Sequence, residues 1–148
     1  MDRIDSVKDR IAWQFMVNSP IRVAELFAGV GGFRLGLEGD GFDVIFSNQW
    51  EPGEKTQWAS KIYEKRFGSE GHFNVDIHTV RKDVPEHDLL VGGFPCQAFS
   101  QAGLKKGFHY SRGTLFFEIQ KILVAKKPKA FLLENVKQLR GHDKGRTL

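Results

Sequence analysis

The chain has 148 residues, of which 41% are hydrophobic and 27% are charged. This length supports one domain with its own core and is too short for two domains of ordinary size. With 22 Lys and Arg residues against 18 Asp and Glu residues, the net charge of +4 permits an anionic partner without requiring one. The single cysteine, Cys96, excludes an internal disulfide and a cysteine-rich zinc site, and no metal site is predicted.

The N-terminal segment carries acidic residues and has no apolar core of the kind found in secretory signals. No apolar run approaches the ~20 residues that a helix needs to cross a bilayer. Together with the free thiol, these features predict a protein of the reducing cytoplasm.

Residues 1–20 predict an N-terminal helical extension that ends at Pro20. The apolar residues recur there at helical spacing, at Ile4, Val7, Ile11 and Phe15. A short helix that covers an edge of the core explains this pattern, and a contact with a partner chain is the alternative.

From residue 21 onward, short apolar runs alternate with helical patterns. Strands are predicted at residues 21–27, 42–46, 73–77, 88–91 and 130–133. Helices are predicted after the first strand, between residues 54 and 67, and at residues 114–125. Continuous apolar strands separated by helices are typical of a parallel sheet covered on both faces. The predicted fold class is therefore doubly wound α/β.

Chemically useful residues follow the predicted strands. In an open parallel sheet, ligands bind beyond the carboxyl ends of the strands. The residues found there are the glycine-rich run 28–32, Trp50 with Glu51, Asp76, Cys96 and Glu134. We therefore expect one site at this edge of the sheet.

The glycine-rich loop allows the backbone to approach a ligand closely and opens a helix with free N–H groups. As a dinucleotide-binding fingerprint it is incomplete, because Arg34 stands at the third glycine position. A tight strand-to-helix turn without a ligand is the alternative.

Three further residues predict a nucleoside site. Glu51 follows the second strand, where such folds bind ribose hydroxyls, and Trp50 beside it could stack on adenine. Asp76 could accept a hydrogen bond from an exocyclic amine. The alternatives are a core aromatic for Trp50 and a helix N-cap for Asp76. A nucleoside site without an evident phosphate binder favours S-adenosylmethionine over NAD.

Cys96 and Glu134 are the candidate reactive groups. Cys96 follows Pro95 at a strand exit, and its thiol needs activation because free thiols titrate near ~8.5. A small buried hydrophobe is the alternative for Cys96. Glu134 leaves a strand predicted to be buried, where partial desolvation favours the protonated carboxyl as a donor. A salt bridge with Lys129 or Lys137 is the alternative for Glu134.

Four sequence blocks, in this order, carry a resemblance to a known family. They are residues 27–33 (FAGVGGF), 93–100 (GFPCQAFS), 111–117 (SRGTLFF) and 134–136 (ENV). With them, residues 21–148 resemble the catalytic half of bacterial DNA (cytosine-5)-methyltransferases of restriction–modification systems. The resemblance implies a Rossmann-like α/β domain of the S-adenosylmethionine-dependent methyltransferase type, incomplete at its C-terminus.

The resemblance also implies roles for individual residues. Cys96 resembles the nucleophile that adds to C6 of a cytosine flipped out of double-stranded DNA, so that C5 can accept a methyl group. Glu134 resembles the residue that hydrogen-bonds N3 and the amino group of that base. The residues that match the S-adenosylmethionine site are Phe27, Ala28, Gly29, Val30, Gly31, Gly32, Trp50, Glu51, Asp76, Ile77, Pro95 and Leu115. DNA contacts are assigned to Gln97, Ser100, Lys105, Arg112 and Asn135.

The sequence departs from the family pattern in two places. Many members carry Asn-Glu-Trp where this chain has Asn48-Gln49-Trp50, so the ribose contact is assigned to Glu51, with Gln49 as the alternative.

An arginine-bearing motif, a target-recognition domain and a closing segment do not occur within residues 21–148. We therefore expect a partial catalytic domain that needs a complementary C-terminal segment or subunit. An RNA cytosine-5 methyltransferase of the tRNA-modifying kind and a non-catalytic cofactor-binding or assembly module are the alternative functions.

Overall fold

The computed structural model describes residues 19–94 and 114–135. The strands are β1 (Ile21–Leu26), β2 (Phe42–Asn48), β3 (His72–Phe73), β4 (Leu89–Gly93) and β5 (Ala130–Glu134). The helices are α1 (Gly32–Leu37), α2 (Trp58–Phe67), α3 (Ile77–Val80) and α4 (Thr114–Lys126). The predicted N-terminal extension lies outside the described residues.

The strands form one parallel sheet in the order β3-β2-β1-β4-β5. The chain moves outward from β1 through β2 to β3 and then crosses back to β4 on the other side of β1. The winding direction therefore reverses between β1 and β4, and this reversal defines the point where such sheets bind ligands. The predicted doubly wound α/β fold is confirmed.

The predicted strands are all present, with shifted ends. β1 stops at Leu26 because Phe27 adopts a left-handed backbone conformation with φ 55°. β2 continues to Asn48, so Ser47 and Asn48 pair with β1 instead of following the strand.

Two predicted boundaries are wrong. α2 begins at Trp58, because Gln57 holds the preceding turn through hydrogen bonds with the backbone of Glu51 and Glu54. The third strand is only two residues long, and Ile77, which was predicted within it, begins the short helix α3.

The hydrophobic core lies along the central strands β1 and β4 and under α4. Its fully buried apolar side chains include Val23, Ala24, Leu26, Phe46, Leu90, Val91, Ile119 and Ile122. Within the described part of the chain, no helix is long and apolar enough to cross a membrane.

The strand β5 is exposed, which contradicts the prediction of a buried strand at residues 130–133. Phe131 is 60% exposed and Leu132 is 54% exposed, although both are apolar. Neighbouring strand residues point to opposite faces of a sheet, so the described residues leave both faces of β5 largely uncovered. Among the described strands, β5 is an edge strand that pairs with β4. An apolar edge strand of this kind is a surface for pairing with further chain.

A buried carboxyl anchors α1 and α2 to β1. Glu25 is fully buried, and its Oε2 accepts a 2.9 Å hydrogen bond from the hydroxyl of Tyr63 on α2. Its Oε1 accepts from the backbone N–H of Arg34 in α1 at 3.4 Å. Burial raises the pKa of Glu25, although the hydrogen bonds from Tyr63 and Arg34 oppose this shift.

A second buried carboxyl joins α4 to α3. Glu118 on α4 lies 2.6 Å from Lys121 Nζ, 2.9 Å from Arg81 Nη1 and 3.5 Å from His78 Nε2. Burial acts to raise the pKa of Glu118, but the hydrogen bond from Lys121 and the three surrounding positive groups outweigh it and lower the pKa. This carboxyl therefore stays ionised at neutral pH.

We predict that Tyr63→Phe lowers the free energy of unfolding by about 2 kcal/mol, because one oxygen of Glu25 then loses its donor in the protein interior. Urea denaturation measures the change. In a Glu25→Leu background the same substitution is expected to cost little, since no carboxyl is left unpaired. An equal cost in both backgrounds would show that the hydroxyl does not act through Glu25.

Glu118→Gln is predicted to destabilise the protein more at pH 7 than at pH 3. A carboxyl with a lowered folded pKa contributes stability above its unfolded pKa and loses that contribution as the pH falls through its folded pKa. Urea midpoints at the two pH values test this, with Glu86→Gln as the control because Glu86 forms only an exposed pair with Lys126. The same loss of stability at both pH values would contradict the prediction.

Candidate functional site

The turn after β1 forms one wall of the candidate site. Three of its residues have positive φ, namely Phe27 at 55°, Gly29 at 56° and Gly31 at 89°. A positive φ at a residue other than glycine is strained, and such strain clusters at functional sites. The Ala28 N–H donates to Asn48 O and the Gly31 N–H donates to Ala28 O, so the turn is tied to β2 and closed on itself.

Gly31 is the position where the turn meets the protein interior. A Cβ at Gly31 would run into the ring of Phe67 on α2, and the residue is buried. At Gly29 a Cβ would meet no atom within 4 Å. The turn is therefore packed against α2 on one side and open on the other, as a ligand-binding turn requires.

Gln49 reaches back from the end of β2 to this turn. Its Oε1 accepts a 2.8 Å hydrogen bond from the Gly29 N–H. The backbone N–H and C=O of Glu51, in contrast, both bond to the side chain of Gln57. Among the described residues, no group donates to the carboxylate of Glu51. The side chain of Gln49 thus shapes the turn, and Glu51 keeps the carboxylate that a ribose would need.

Trp50 lies beside Glu51 and is 39% exposed, so the alternative of a core aromatic is wrong. An indole half open to solvent at a strand end can stack on a flat ligand.

Leu115, at the start of α4, is partly buried and packs against the core cluster.

Asp76 caps the N-terminus of α3, which confirms the capping alternative without excluding a ligand. Its Oδ1 accepts from the backbone N–H of His78 at 3.0 Å and from His78 Nδ1 at 2.7 Å. Burial acts to raise the pKa of Asp76, but the two hydrogen bonds and the charge of His78 lower it. Asp76 is therefore an ionised acceptor at neutral pH. The adjacent Ile77 is buried in the core, so any contact it makes with a ligand uses its backbone.

Glu134 and Asn135 lie at the same edge of the sheet, past the switch point. Glu134 pairs in register with Gly93, and its Oε2 would lie 3.2 Å from a Cβ built at that glycine. Asn135 Nδ2 donates to Phe94 O at 2.9 Å. These contacts hold the end of β5 against the residues that lead into Pro95 and Cys96.

Glu134 does not have the environment that the sequence predicted. Its side chain is exposed, because β5 is an edge strand, so the predicted desolvation is absent. The alternative salt bridge with Lys129 is also absent, since Lys129 Nζ lies 2.8 Å from Asp88 Oδ1.

Several predicted site residues lie outside the described residues: Pro95, Cys96, Gln97, Ser100, Lys105, Arg112 and Lys137. Their roles stay predictions. Connectivity alone relates Cys96 to the site, because it follows the last residue of β4 by three positions. In residues 19–94 and 114–135, no group of three or more His, Cys, Asp or Glu side chains could hold a metal ion.

The sequence did not indicate the residues whose hydrogen bonds anchor the elements of the site, among them Glu25, Tyr63 and His78. A charged residue inside the apolar first strand was the available signal for Glu25. No comparable pattern indicated Tyr63 or His78, because Glu25, the partner of Tyr63, and Glu118, one of the two partners of His78, are distant in sequence.

Comparisons with known proteins agree with the geometry. The sequence model of the C-5 cytosine-specific DNA methylase family matches residues 21–148. The Type II methyltransferase M.NlaX of Neisseria lactamica is 54% identical over 129 residues, which are 86% of this chain and 40% of that protein. The Type II methyltransferase M.SsoII of Shigella sonnei is 53% identical over 132 residues, which are 88% of this chain and 33% of that protein.

A solved structure of the methyltransferase EhMeth of Entamoeba histolytica shares the fold, with a TM-score of 0.59 and 20% identity over 85% of this chain and 41% of that one. The chain spans two fifths or less of the length of the two bacterial relatives. The family match nevertheless covers nearly all of this chain and confirms the resemblance carried by the four sequence blocks. The chain therefore belongs to the C-5 cytosine-specific DNA methylase family.

Proposed function

We propose that the protein transfers a methyl group from S-adenosylmethionine to C5 of a cytosine in double-stranded DNA, as the catalytic part of a restriction–modification methyltransferase. The observation that carries this proposal is the register of β4 and β5. Glu134 pairs with Gly93, which stands three residues before Cys96 in the chain. The neighbouring residue Gly92 pairs with Leu26, directly before the glycine turn. Family membership supports the same reaction.

The residues around the turn suit an adenosine group. Trp50 offers an exposed aromatic face, the carboxylate of Glu51 offers acceptors for ribose hydroxyls, and Asp76 offers an acceptor for the adenine amine. Phe27, Ala28, Gly29, Val30, Gly31, Gly32, Ile77, Pro95 and Leu115 complete the proposed cofactor site. When bound, S-adenosylmethionine supplies an electrophilic methyl group.

The chemistry at the base is assigned to Cys96 and Glu134. The Cys96 thiolate forms a bond to C6 of the flipped cytosine, and the electron pair of the C5–C6 double bond moves toward C5. C5 would then take the methyl group, and the electron pair of the broken C–S bond would stay on the departing thioether. Transfer of the C5 proton to water and departure of the Cys96 thiolate would restore the C5–C6 double bond. Glu134 hydrogen-bonds N3 and the amino group of the base and reduces the negative charge that develops on the ring. Asn135 holds this corner through its bond to Phe94 O.

The proposed DNA contacts are Gln97, Ser100, Lys105, Arg112 and Asn135. Their phosphate contacts would position the duplex without reading its sequence.

We further propose that a complementary C-terminal segment or subunit pairs with β5. The exposed apolar residues Phe131 and Leu132 support this, because an apolar edge strand favours pairing with another strand. The 33–40% of each relative that this chain covers supports it as well.

Action on bacterial DNA would take place in the cytoplasm, where the thiol of Cys96 stays reduced. The RNA-modifying alternative is not favoured, because the relatives are Type II methyltransferases and the family is defined on DNA.

The test is a covalent adduct with DNA that contains 5-fluorocytosine, in the presence of S-adenosylmethionine and the complementary segment. Fluorine at C5 prevents the proton loss that releases the enzyme, so the Cys96 adduct accumulates. We expect an adduct with the wild type, no adduct with Cys96→Ser, and at least a 100-fold slower adduct with Glu134→Gln.

The matched control is Glu70→Gln, which removes an exposed carboxyl before β3, at the amino end of the strands. It is expected to form the adduct at the wild-type rate. No adduct with the wild type, or an equal adduct with Cys96→Ser, would refute the proposed reaction and leave a non-catalytic module as the better description.

A second prediction concerns Gly31→Ala. The new methyl group collides with Phe67 and shifts the turn, so we expect S-adenosylmethionine to bind at least tenfold more weakly, about 1.4 kcal/mol. Calorimetric titration measures this. Gly53→Ala is the control, since Gly53 also has a positive φ of 83° but open space around it. Equal affinity for Gly31→Ala and Gly53→Ala would show that the turn does not hold the cofactor.

A further inference from the structure

We propose that His78, which lies between Asp76 and the buried Glu118, is a positioning residue for adenine recognition and holds Asp76 so that one carboxylate oxygen faces the adenine amine. This inference rests on the proposed function, because it presumes that the adenosine group lies at Asp76. It assigns a role to a residue outside the four sequence blocks.

His78 donates two hydrogen bonds to one oxygen of Asp76. The backbone N–H and the ring Nδ1 of His78 both donate to Oδ1 of Asp76, at 3.0 Å and 2.7 Å. A carboxylate only accepts hydrogen bonds, so Nδ1 carries a proton. In the described part of the chain no group donates to Oδ2. One oxygen is therefore committed to His78, and the other is left for a ligand donor.

The other ring nitrogen of His78 faces a buried carboxylate on α4. Its Nε2 lies 3.5 Å from Oε1 of Glu118, whose side chain is only 2% exposed. Lys121 and Arg81 hold that carboxylate at 2.6 Å and 2.9 Å. The ring of His78 is thus placed between two carboxylates, one on the short helix α3 and one on the long helix α4.

Two carboxylates and two cations surround the ring of His78. Asp76 lies at Nδ1 and Glu118 at Nε2, while Arg81 and Lys121 balance the charge of Glu118. A helix of four residues could not hold the Asp76 carboxylate in one orientation by itself. The contact with α4 supplies the missing constraint.

Adenine and hypoxanthine differ in the group that would face the free oxygen of Asp76. The 6-amino group of adenine donates hydrogen bonds, and a fixed carboxylate oxygen accepts one. Hypoxanthine carries an oxygen at that position, which would face the carboxylate as a second acceptor. A site built around a fixed hydrogen-bonding group rejects a mismatched analogue far more strongly than a flexible site does. His78 is therefore expected to set the preference for adenosine over inosine.

The experiment measures the binding of S-adenosylhomocysteine and S-inosylhomocysteine to the full chain by calorimetric titration. We expect the wild type to prefer the adenosyl compound at least tenfold. His78→Phe removes both ring nitrogens and is expected to reduce this preference fivefold or more. His78→Asn, whose amide can still donate to Oδ1 of Asp76, is expected to keep an intermediate preference.

Lys121→Met is the matched control. It removes one partner of Glu118, and with it some stability, but leaves both contacts of His78 in place. Its preference for the adenosyl compound is expected to equal that of the wild type. Thermal unfolding of each variant shows which ones are folded, and His78→Asn serves if His78→Phe does not fold.

The outcomes separate the inference from the proposed function. Equal weakening of both compounds by the His78 variants would show a purely structural role and overturn the inference. Wild-type binding of both compounds with equal affinity would also overturn it, while cofactor binding stands. Binding of neither compound by the wild type would refute the proposed cofactor site itself.

Discussion

The parallel pairing of β1 with β4 is the contact on which the candidate site depends. Leu26 and Gly92 are register partners at the carboxyl ends of these strands, so the residues after them leave the sheet side by side. The glycine turn follows β1, and the segment that leads to Cys96 follows β4. Because β5 pairs with β4 in register, Glu134 joins the same edge. The two pairings, β1 with β4 and β4 with β5, thus bring to one edge groups separated by more than a hundred residues in the chain.

Two buried carboxyls brace this edge, and their environments push their pKa values in opposite directions. Burial raises the pKa of Glu25, and the hydrogen bonds from Tyr63 and from the Arg34 N–H, together with the charge of Arg34, offset this only in part. Burial acts on Glu118 in the same direction, but cations from α3 and α4 outweigh it and lower its pKa. At neutral pH an ionised Glu25 therefore lowers the stability of the folded protein, whereas an ionised Glu118 raises it. Glu25 anchors α1, which follows the glycine turn, and Glu118 anchors α3, which begins with Ile77.

The exposed strand β5 connects the architecture to the comparisons. The proposed role of Glu134 favours a desolvated carboxyl, yet Glu134 is exposed at the end of an edge strand. Under the proposal that further chain covers β5, the same chain would bury Phe131 and Leu132 and desolvate Glu134.

The sequence by itself determined the fold class, the strands and the family. The fold class follows from apolar runs alternating with helices, and motifs such as FAGVGGF and GFPCQAFS are local strings that need no partner to be recognised. Local patterns failed where neighbours in space decide the outcome. The apolar residues 130–133 predict burial, but only the sheet order shows that no described strand covers their outer edge.

The tertiary structure alone decided which polar groups meet. Gln49 bonds to Gly29, Tyr63 to Glu25, and His78 lies between Asp76 and Glu118. Except for Asp76 and His78, the members of these pairs are 20 or more positions apart, so no spacing rule of a single helix or strand could pair them. The physical reason is that a side-chain hydrogen bond requires a separation of about 3 Å, and only the packed sheet and helices set distances on that scale.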